Sequence, residues 1–420
     1  MRFFFFFMYM RNHSFRFILL IVTLLASYKV AAQEVSFTAH GAEGLLIKKD
    51  IFMQQLIQTQ GQEYYGLSVA WKAKGDSVSL DDEMWGRPTI EGGLIIGDFS
   101  RIQLHDGTRK QTKDIEYISG LGCMITPYAA FRRSLLRTRH FDAGYNFENG
   151  IGIITRPYNT TDNAENELVG SRITAFVGLG LYASWHISQH LALGIDANFR
   201  HYSSGKLNQP NIGINTVGVG LKATYTMQPD TIVRTPYAHG FNNGFKKRIY
   251  ADVSVGWCPQ TLLPDWKYDW TIPPEKRRTS FDMYNAWSAD IGVMWRYSRK
   301  YASGIGIDYT YFPFTDAIEA SEDVYFKKSL GYDFSPHVLG VSLRHEAFYK
   351  NVSMHASLGY YLKRNLGNVA DDNQTPYYET IGLRWYMPFA AKQMYIAYSI
   401  NACAFKANYF QFSLGYCPWK

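Results

Sequence analysis

Hydrophobic and polar positions alternate with a period of two along much of this chain. From Ile173 to Trp185 the odd positions are Ile173, Ala175, Val177, Leu179, Leu181, Ala183 and Trp185. The even positions are Thr174, Phe176, Gly178, Gly180, Tyr182 and Ser184. Between Asn285 and Tyr297, Trp287, Ala289, Ile291, Val293 and Trp295 oppose Ser288, Asp290, Gly292 and Arg296; over 338–348, Leu339, Val341 and Leu343 oppose Ser342, Arg344 and Glu346. Successive side chains of a strand point to opposite faces, so each run predicts a strand with one apolar and one polar face. Similar runs recur near 37–48, 63–73, 90–98, 116–130, 140–156, 189–203, 214–228, 248–258, 302–313, 352–363, 377–388, 393–402 and 406–417. The count comes to roughly 14–16 strands, many of them about ten residues or longer, the length a tilted strand needs to cross a bilayer.

The connections are of two kinds. Short turns fall at His186–Gln189, Ser298–Lys300, Tyr349–Asn351 and Ala390–Lys392, and longer polar segments at 204–213, 259–283, 314–336 and 364–376. Short turns on one side and long loops on the other are the pattern of outer-membrane barrels. A soluble β-sandwich would also show period two, but its apolar faces would not be expected to end in aromatics such as Trp185, Trp295 and Trp385. The fold expected is therefore all-β, a transmembrane antiparallel β-barrel. One large barrel is the preferred reading and two eight-stranded barrels in tandem the alternative. Residues 33–228 form the first half, 229–247 a linker-like segment, and 248–420 a second half completing the barrel.

Composition agrees with this picture. Aromatic residues make up 16% of the chain, glycines number 35, and only 19% of residues are charged. No stretch beyond the N-terminus approaches the ~18 apolar residues of a spanning helix. The N-terminus reads as a cleaved signal peptide over 1–32: Arg2, Arg11 and Arg16 precede the apolar run Phe17–Ala26, and small residues lead to a cut before Gln33. Residues 1–32 hold four basic groups and no acidic one, leaving +3 of the formal +7, too little to suggest nucleic acid. Cys123, Cys258, Cys403 and Cys417 have no metal-binding spacing and read as small apolar strand residues. Strand parity places Cys258 and Cys417 at opposite membrane faces, so no disulfide should join them.

One stretch departs from the rule that the apolar row stays apolar. In 191–203 the odd row runs Leu191, Leu193, Ile195, Ala197, Phe199 and then His201 and Ser203. Residues two apart on one face have Cα atoms about 6–7 Å apart, close enough for their side chains to meet. In the next strand Asn215 heads the row Val217, Val219, Leu221 and Ala223, so the loop between brings all three side chains to one membrane interface. Polar groups facing hydrocarbon are costly and need a reason. They could be ordinary interfacial residues, or they could act on a lipid: a Ser hydroxyl needs a neighbouring base, and a His needs a partner that fixes its tautomer. Asn211 and backbone N–H groups around Gly205 could serve a developing oxyanion.

The segment His201-Tyr202-Ser203-Ser204-Gly205 followed by Gln209-Pro210-Asn211-Ile212-Gly213 resembles the signature of the outer-membrane lipid A 3-O-deacylases, the PagL-like or acyloxyacyl hydrolase family. The resemblance spans roughly 36–228; the remainder is similar to the C-terminal extension of the longer members. It implies that Ser203 is the nucleophile and His201 the base, with Asn215 orienting His201 and Asn211 helping the oxyanion hole. It also implies a lipid A or lipopolysaccharide substrate in the outer leaflet, and no metal or cofactor. Two positions depart from the short members: Asn215 stands where they carry an acid, and Ser204 where they usually carry Asn. The competing reading is a passive porin or scaffold, with Asp196, Arg200, Lys222, Asp290, Arg296, Arg344 and Glu346 pointing into its lumen. The run Arg132, Arg133, Arg137 and Arg139 could bind phosphate headgroups but is expected to be a solvated turn. The Asn159-Thr160-Thr161 sequon carries no meaning in such a barrel.

Overall fold

The computed structural model describes residues 33–106, 115–230, 242, 244–326, 333–390, 393–404 and 406–418. The leader segment 1–32 and most of the linker-like stretch 229–247 lie outside them. Eight strands come first: β1 (Gln33–Leu46), β2 (Gly61–Ala73), β3 (Thr89–Leu104), β4 (Ser119–Arg137), β5 (Phe141–Ile154), β6 (Ile173–His186), β7 (Leu191–Ser203) and β8 (Ile214–Thr226). Eight more follow: β9 (Arg248–Thr261), β10 (Met283–Arg296), β11 (Tyr301–Tyr311), β12 (His337–Tyr349), β13 (Val352–Lys363), β14 (Tyr377–Tyr386), β15 (Met394–Cys403) and β16 (Lys406–Tyr416). β1 pairs antiparallel with β8, and β16 with β9, so the strands close into two eight-stranded barrels. The preferred single barrel is thus corrected to the tandem alternative: residues 248–420 close on themselves and do not complete the first barrel. Closure is what makes either sheet stable in lipid, because an open edge leaves backbone N–H and C=O groups without partners.

The alternation sorts the two faces as the pattern predicts. Outward positions of β6 and β7 are exposed (Leu179, Leu181, Leu193 and Ile195), whereas Thr174, Phe176, Asp196 and Arg200 are buried inside. Trp185, Trp295 and Trp385 are 59%, 50% and 41% exposed, all toward the short-turn ends of β6, β10 and β14, where an interfacial aromatic girdle belongs.

Both lumens are filled. In the first, Tyr64, Phe99, Phe176 and Tyr202 pack at the long-loop end. Below them Arg200 pairs with Glu148 at 3.4 Å, and Asp196 takes His40 at 3.1 Å and Lys222 at 3.7 Å. In the second, Arg384 bridges Asp252 at 2.8 Å and Glu346 at 3.3 Å, and Arg344 pairs with Asp308, around a cavity of about 60 Å³. The inward charges read from the sequence are therefore mostly neutralised inside packed lumens.

The basic run near 132 is corrected. Arg132, Arg133 and Arg137 lie in β4, not in a solvated turn; only Arg139 is in the turn. Arg132 stacks on Tyr182 at 3.7 Å and donates to Ser184, and Arg133 lies 5.3 Å from the Trp85 ring. All four cysteines are free; Cys258 packs with Leu262 and Phe312 at one end of the second barrel, and Cys417 with Tyr250 and Phe348 at the other.

The two barrels stand side by side in the same sense, because their contacts join like ends. At the turn end, Trp85 donates to the Phe348 carbonyl at 2.7 Å and Asp82 accepts from Tyr349 at 2.7 Å and Lys350 at 2.9 Å. At the loop end, Trp270 donates to Glu167 at 2.9 Å and Tyr158 meets Trp266 edge-on at 5.5 Å.

Candidate active site

The strand register sets the site. β7 and β8 pair so that His201 lies directly across from Asn215. Cross-strand neighbours have Cβ atoms about 4.5–5.5 Å apart, and here the two side chains meet: His201 Nδ1–H donates to Asn215 Oδ1 at 2.7 Å. With Nδ1 carrying the proton, Nε2 keeps its lone pair and is free to act as a base. The Asn215 backbone is held as well, its main-chain carbonyl accepting from Ile47 N at 2.8 Å. Gly213 has φ +82°, and a Cβ there would lie 3.1 Å from His201 Cε1. The glycine supplies both the left-handed backbone that lets the loop rejoin β8 and the space the imidazole occupies.

Ser203 ends the same outward row, yet it is 3% exposed because the hairpin 204–213 folds over it. Asn211 Nδ2 donates to Ser203 Oγ at 3.0 Å, and Gly205 N donates to the same oxygen at 3.1 Å. Asn211 Oδ1 accepts from Ser204 N at 2.9 Å, which fixes the amide so that its NH₂ side faces the hydroxyl. Ser203 Oγ also lies 3.2 Å from that Oδ1. After attack, an oxyanion would sit on the carbon bonded to Oγ, within reach of both donors.

All five residues singled out from the sequence are thus in one cluster. His201, Asn215, Ser203, Asn211 and Gly205 form two hydrogen-bonded groups, His201 with Asn215 and Ser203 with Asn211 and Gly205. Among the described residues no hydrogen bond joins His201 to Ser203. The serine is held by its donors, and catalytic hydrogen bonds commonly tighten only around substrate. Below the pair, the outward residues Gly41, Leu181, Ile195, Ala197, Val219 and Leu221 line an open, largely apolar stretch of the barrel wall. Among the described residues no group of three His, Cys, Asp or Glu is placed to hold a metal ion.

Sequence reasoning missed the tip of the hairpin. Lys206 Nζ donates to Asn408 Oδ1 at 2.7 Å in the second barrel, and burial pulls its ammonium down to about 8. No local signal could have announced this, because Asn408 is distant in sequence and on the other barrel.

Fold and site together define a membrane-spanning β-barrel protein with a serine–histidine–asparagine cluster at the long-loop end of its first barrel. Residues 63–224 match the model of the lipid A 3-O-deacylase (PagL) family, and residues 259–419 that of the acyloxyacyl hydrolase C-terminal domain. The two matched stretches fall one on each barrel, and the first covers the strands that carry His201, Ser203 and Asn215. Among solved structures the chain is similar to the outer membrane enzyme PagL, at 18% identity and TM-score 0.25, over 44% of this chain and 97% of that one. It is also similar to the toluene transporter TodX from Pseudomonas putida, at 9% identity and TM-score 0.18, over 93% and 89%. No curated protein matches.

Proposed function

We propose that this protein is an outer-membrane esterase that removes an ester-linked acyl chain, a 3-hydroxyacyl group in particular, from lipid A in the outer leaflet. The observation that carries the reading is Ser203 at the head of the outward row, held by two donors from the hairpin above an apolar stretch of the barrel wall. Ser203 transfers its hydroxyl proton to His201 Nε2 as Oγ attacks the acyl carbonyl carbon. The carbonyl π pair moves to oxygen, where Asn211 Nδ2 and Gly205 N–H stabilise it. Collapse breaks the bond to the sugar oxygen, which takes the proton back from His201. Water, deprotonated by His201, then releases the fatty acid and restores Ser203. Asn215 holds the imidazole tautomer throughout. The family-model match over 63–224 and the resemblance of the hairpin support this assignment of roles. The leader over 1–32 would be removed on export, before Gln33.

The porin reading is weakened by the filled lumens, since an aqueous path would have to displace paired charges such as Arg200–Glu148 and Arg384–Asp252. Mass spectrometry of lipid A from cells making wild type or Ser203→Ala tests the proposal. Loss of one acyl chain only with the wild type is the expected result; identical lipid A in both would return the case to a passive barrel.

A further inference from the structure

We infer that the second barrel is part of the catalytic apparatus: β16 and the end of β9 hold the tip of the 204–213 hairpin in the position from which it serves Ser203. This rests on the esterase reading above and assigns Lys206, Thr261, Asn408 and Phe410 as positioning residues.

The outward row of β16 includes Phe410, Phe412 and Leu414, and Asn408 lies just above it where the register with β15 shifts. Phe412 and Leu414 are 41% and 45% exposed, as lipid-facing residues should be, but Phe410 is 3% exposed. What covers it is the hairpin: a Cβ on Gly205 would collide with the Phe410 ring, so the ring lies flush on the Gly205 backbone. At that shift, Asn408 Oδ1 accepts from Lys206 Nζ at 2.7 Å and also from Gln374 Nε2 at 2.7 Å. From β9, Thr261 donates twice to the Lys206 carbonyl, through N at 2.8 Å and Oγ1 at 2.9 Å.

The base of the hairpin needs no such help. Gly213 N and Ile212 N donate to the carbonyls of Leu168 and Glu167, and Asn208 Nδ2 to that of Gly170, all in the first barrel. Among the described residues the tip is different, since Gly205 and Lys206 reach beyond the hairpin and Ser203 only to the second barrel. Lys206 also sits at φ +63°, a left-handed conformation that a side-chain-bearing residue does not favour by itself. A backbone held there from outside fixes the direction of the adjacent Gly205 N–H, which donates to Ser203 Oγ. A displacement of about 1 Å in such a donor can cost roughly 10²-fold in rate, so a remote clamp is a catalytic determinant.

The test uses the full-length protein in detergent micelles, with lipid A and a p-nitrophenyl fatty-acyl ester as substrates. The variants are Asn408→Leu, Phe410→Ala and Lys206→Met, with Asn408→Asp as the conservative partner that keeps the acceptor. Leu343→Ala, on the lipid-facing row of β12, is the control. Hydrogen exchange of the peptide covering 204–213 is followed by mass spectrometry alongside kcat and KM. We expect kcat to fall about 10- to 100-fold with KM within about twofold, and hairpin exchange to accelerate at least tenfold. Asn408→Asp should restore both, and Lys206→Met should add little to Asn408→Leu. If Phe410→Ala fails to fold, Lys206→Met, in a surface hairpin, decides. Unchanged exchange, or a raised KM at constant kcat, would overturn the inference. Absence of turnover in the wild type would refute the esterase reading instead, and the exchange data would still decide whether the second barrel holds the hairpin.

Discussion

Asn215 is the most informative position in the cluster, because the proposed mechanism asks its amide to orient His201 where a Ser-His-Asp triad uses an acid. Its Oδ1 accepts from His201 Nδ1 at 2.7 Å. Asn215→Ala removes that neutral hydrogen bond, worth about 0.5–1.5 kcal/mol, and frees the ring to rotate, so turnover should fall about tenfold or more. Asn215→Asp is isosteric and keeps the geometry while placing a carboxylate beside the imidazolium that forms in the transition state. Two unit charges about 4 Å apart interact by roughly 4 kcal/mol at an effective dielectric of 20, which is an upper bound of about 10³-fold. Desolvation of the carboxylate offsets part of that, and a gain of about 10- to 100-fold is the expected outcome. In serine proteases the reverse exchange, acid to amide, costs roughly 10⁴-fold. Asn215→Glu carries the same charge on a longer arm and should retain or raise activity. The assay is release of fatty acid from lipid A by purified variants, with the pH–rate profile recorded for each. The carboxylate variants should shift the acidic limb of the profile, where His201 must lose its proton to act as base, to higher pH, since a neighbouring negative charge favours the imidazolium. Wild-type turnover in Asn215→Ala, or a loss in Asn215→Asp without loss of fold, would refute the orienting role.

Four further outcomes are expected. Ser203→Ala and His201→Ala should each abolish deacylation, with the double variant no worse, while heat-modifiable migration of the folded barrel on gels persists. Gly213→Val should drive a side chain against His201 Cε1, now 3.1 Å from the Cβ site, and cut kcat about tenfold or more with little change in KM. Glu148→Ala leaves the buried Arg200 guanidinium without its 3.4 Å partner, and should destabilise the first barrel by about 3–5 kcal/mol, read as a lowered heat-modification temperature. The four cysteines should remain titratable as thiols in the unfolded, oxidant-free protein, since Cys258 and Cys417 lie at opposite ends of the second barrel.

Period-two alternation is a local property, and it determined what is local: the strands, the face each residue takes, and the placement of His201, Ser203 and Asn215 at the head of two adjacent outward rows. A slip of one residue would turn Ser203 from the outward face into the lumen, so the alternation alone sets which side of the wall the serine occupies. The register that sets His201 opposite Asn215 followed from the hairpin they share. Which strands close on which is a different kind of fact. An outward row looks the same in one sixteen-stranded barrel as in two of eight, so the pairing of β1 with β8 and β9 with β16 was not legible in any segment. The basic run misled for a related reason: Arg132 is tolerable inside a strand only because Tyr182 and Ser184, from β6, stand where they can receive it. The hold of Asn408, Thr261 and Phe410 on the hairpin tip depends on two closed barrels standing side by side in the same sense. Contacts between residues roughly 200 positions apart leave no periodicity in the chain, and only the tertiary structure decides them.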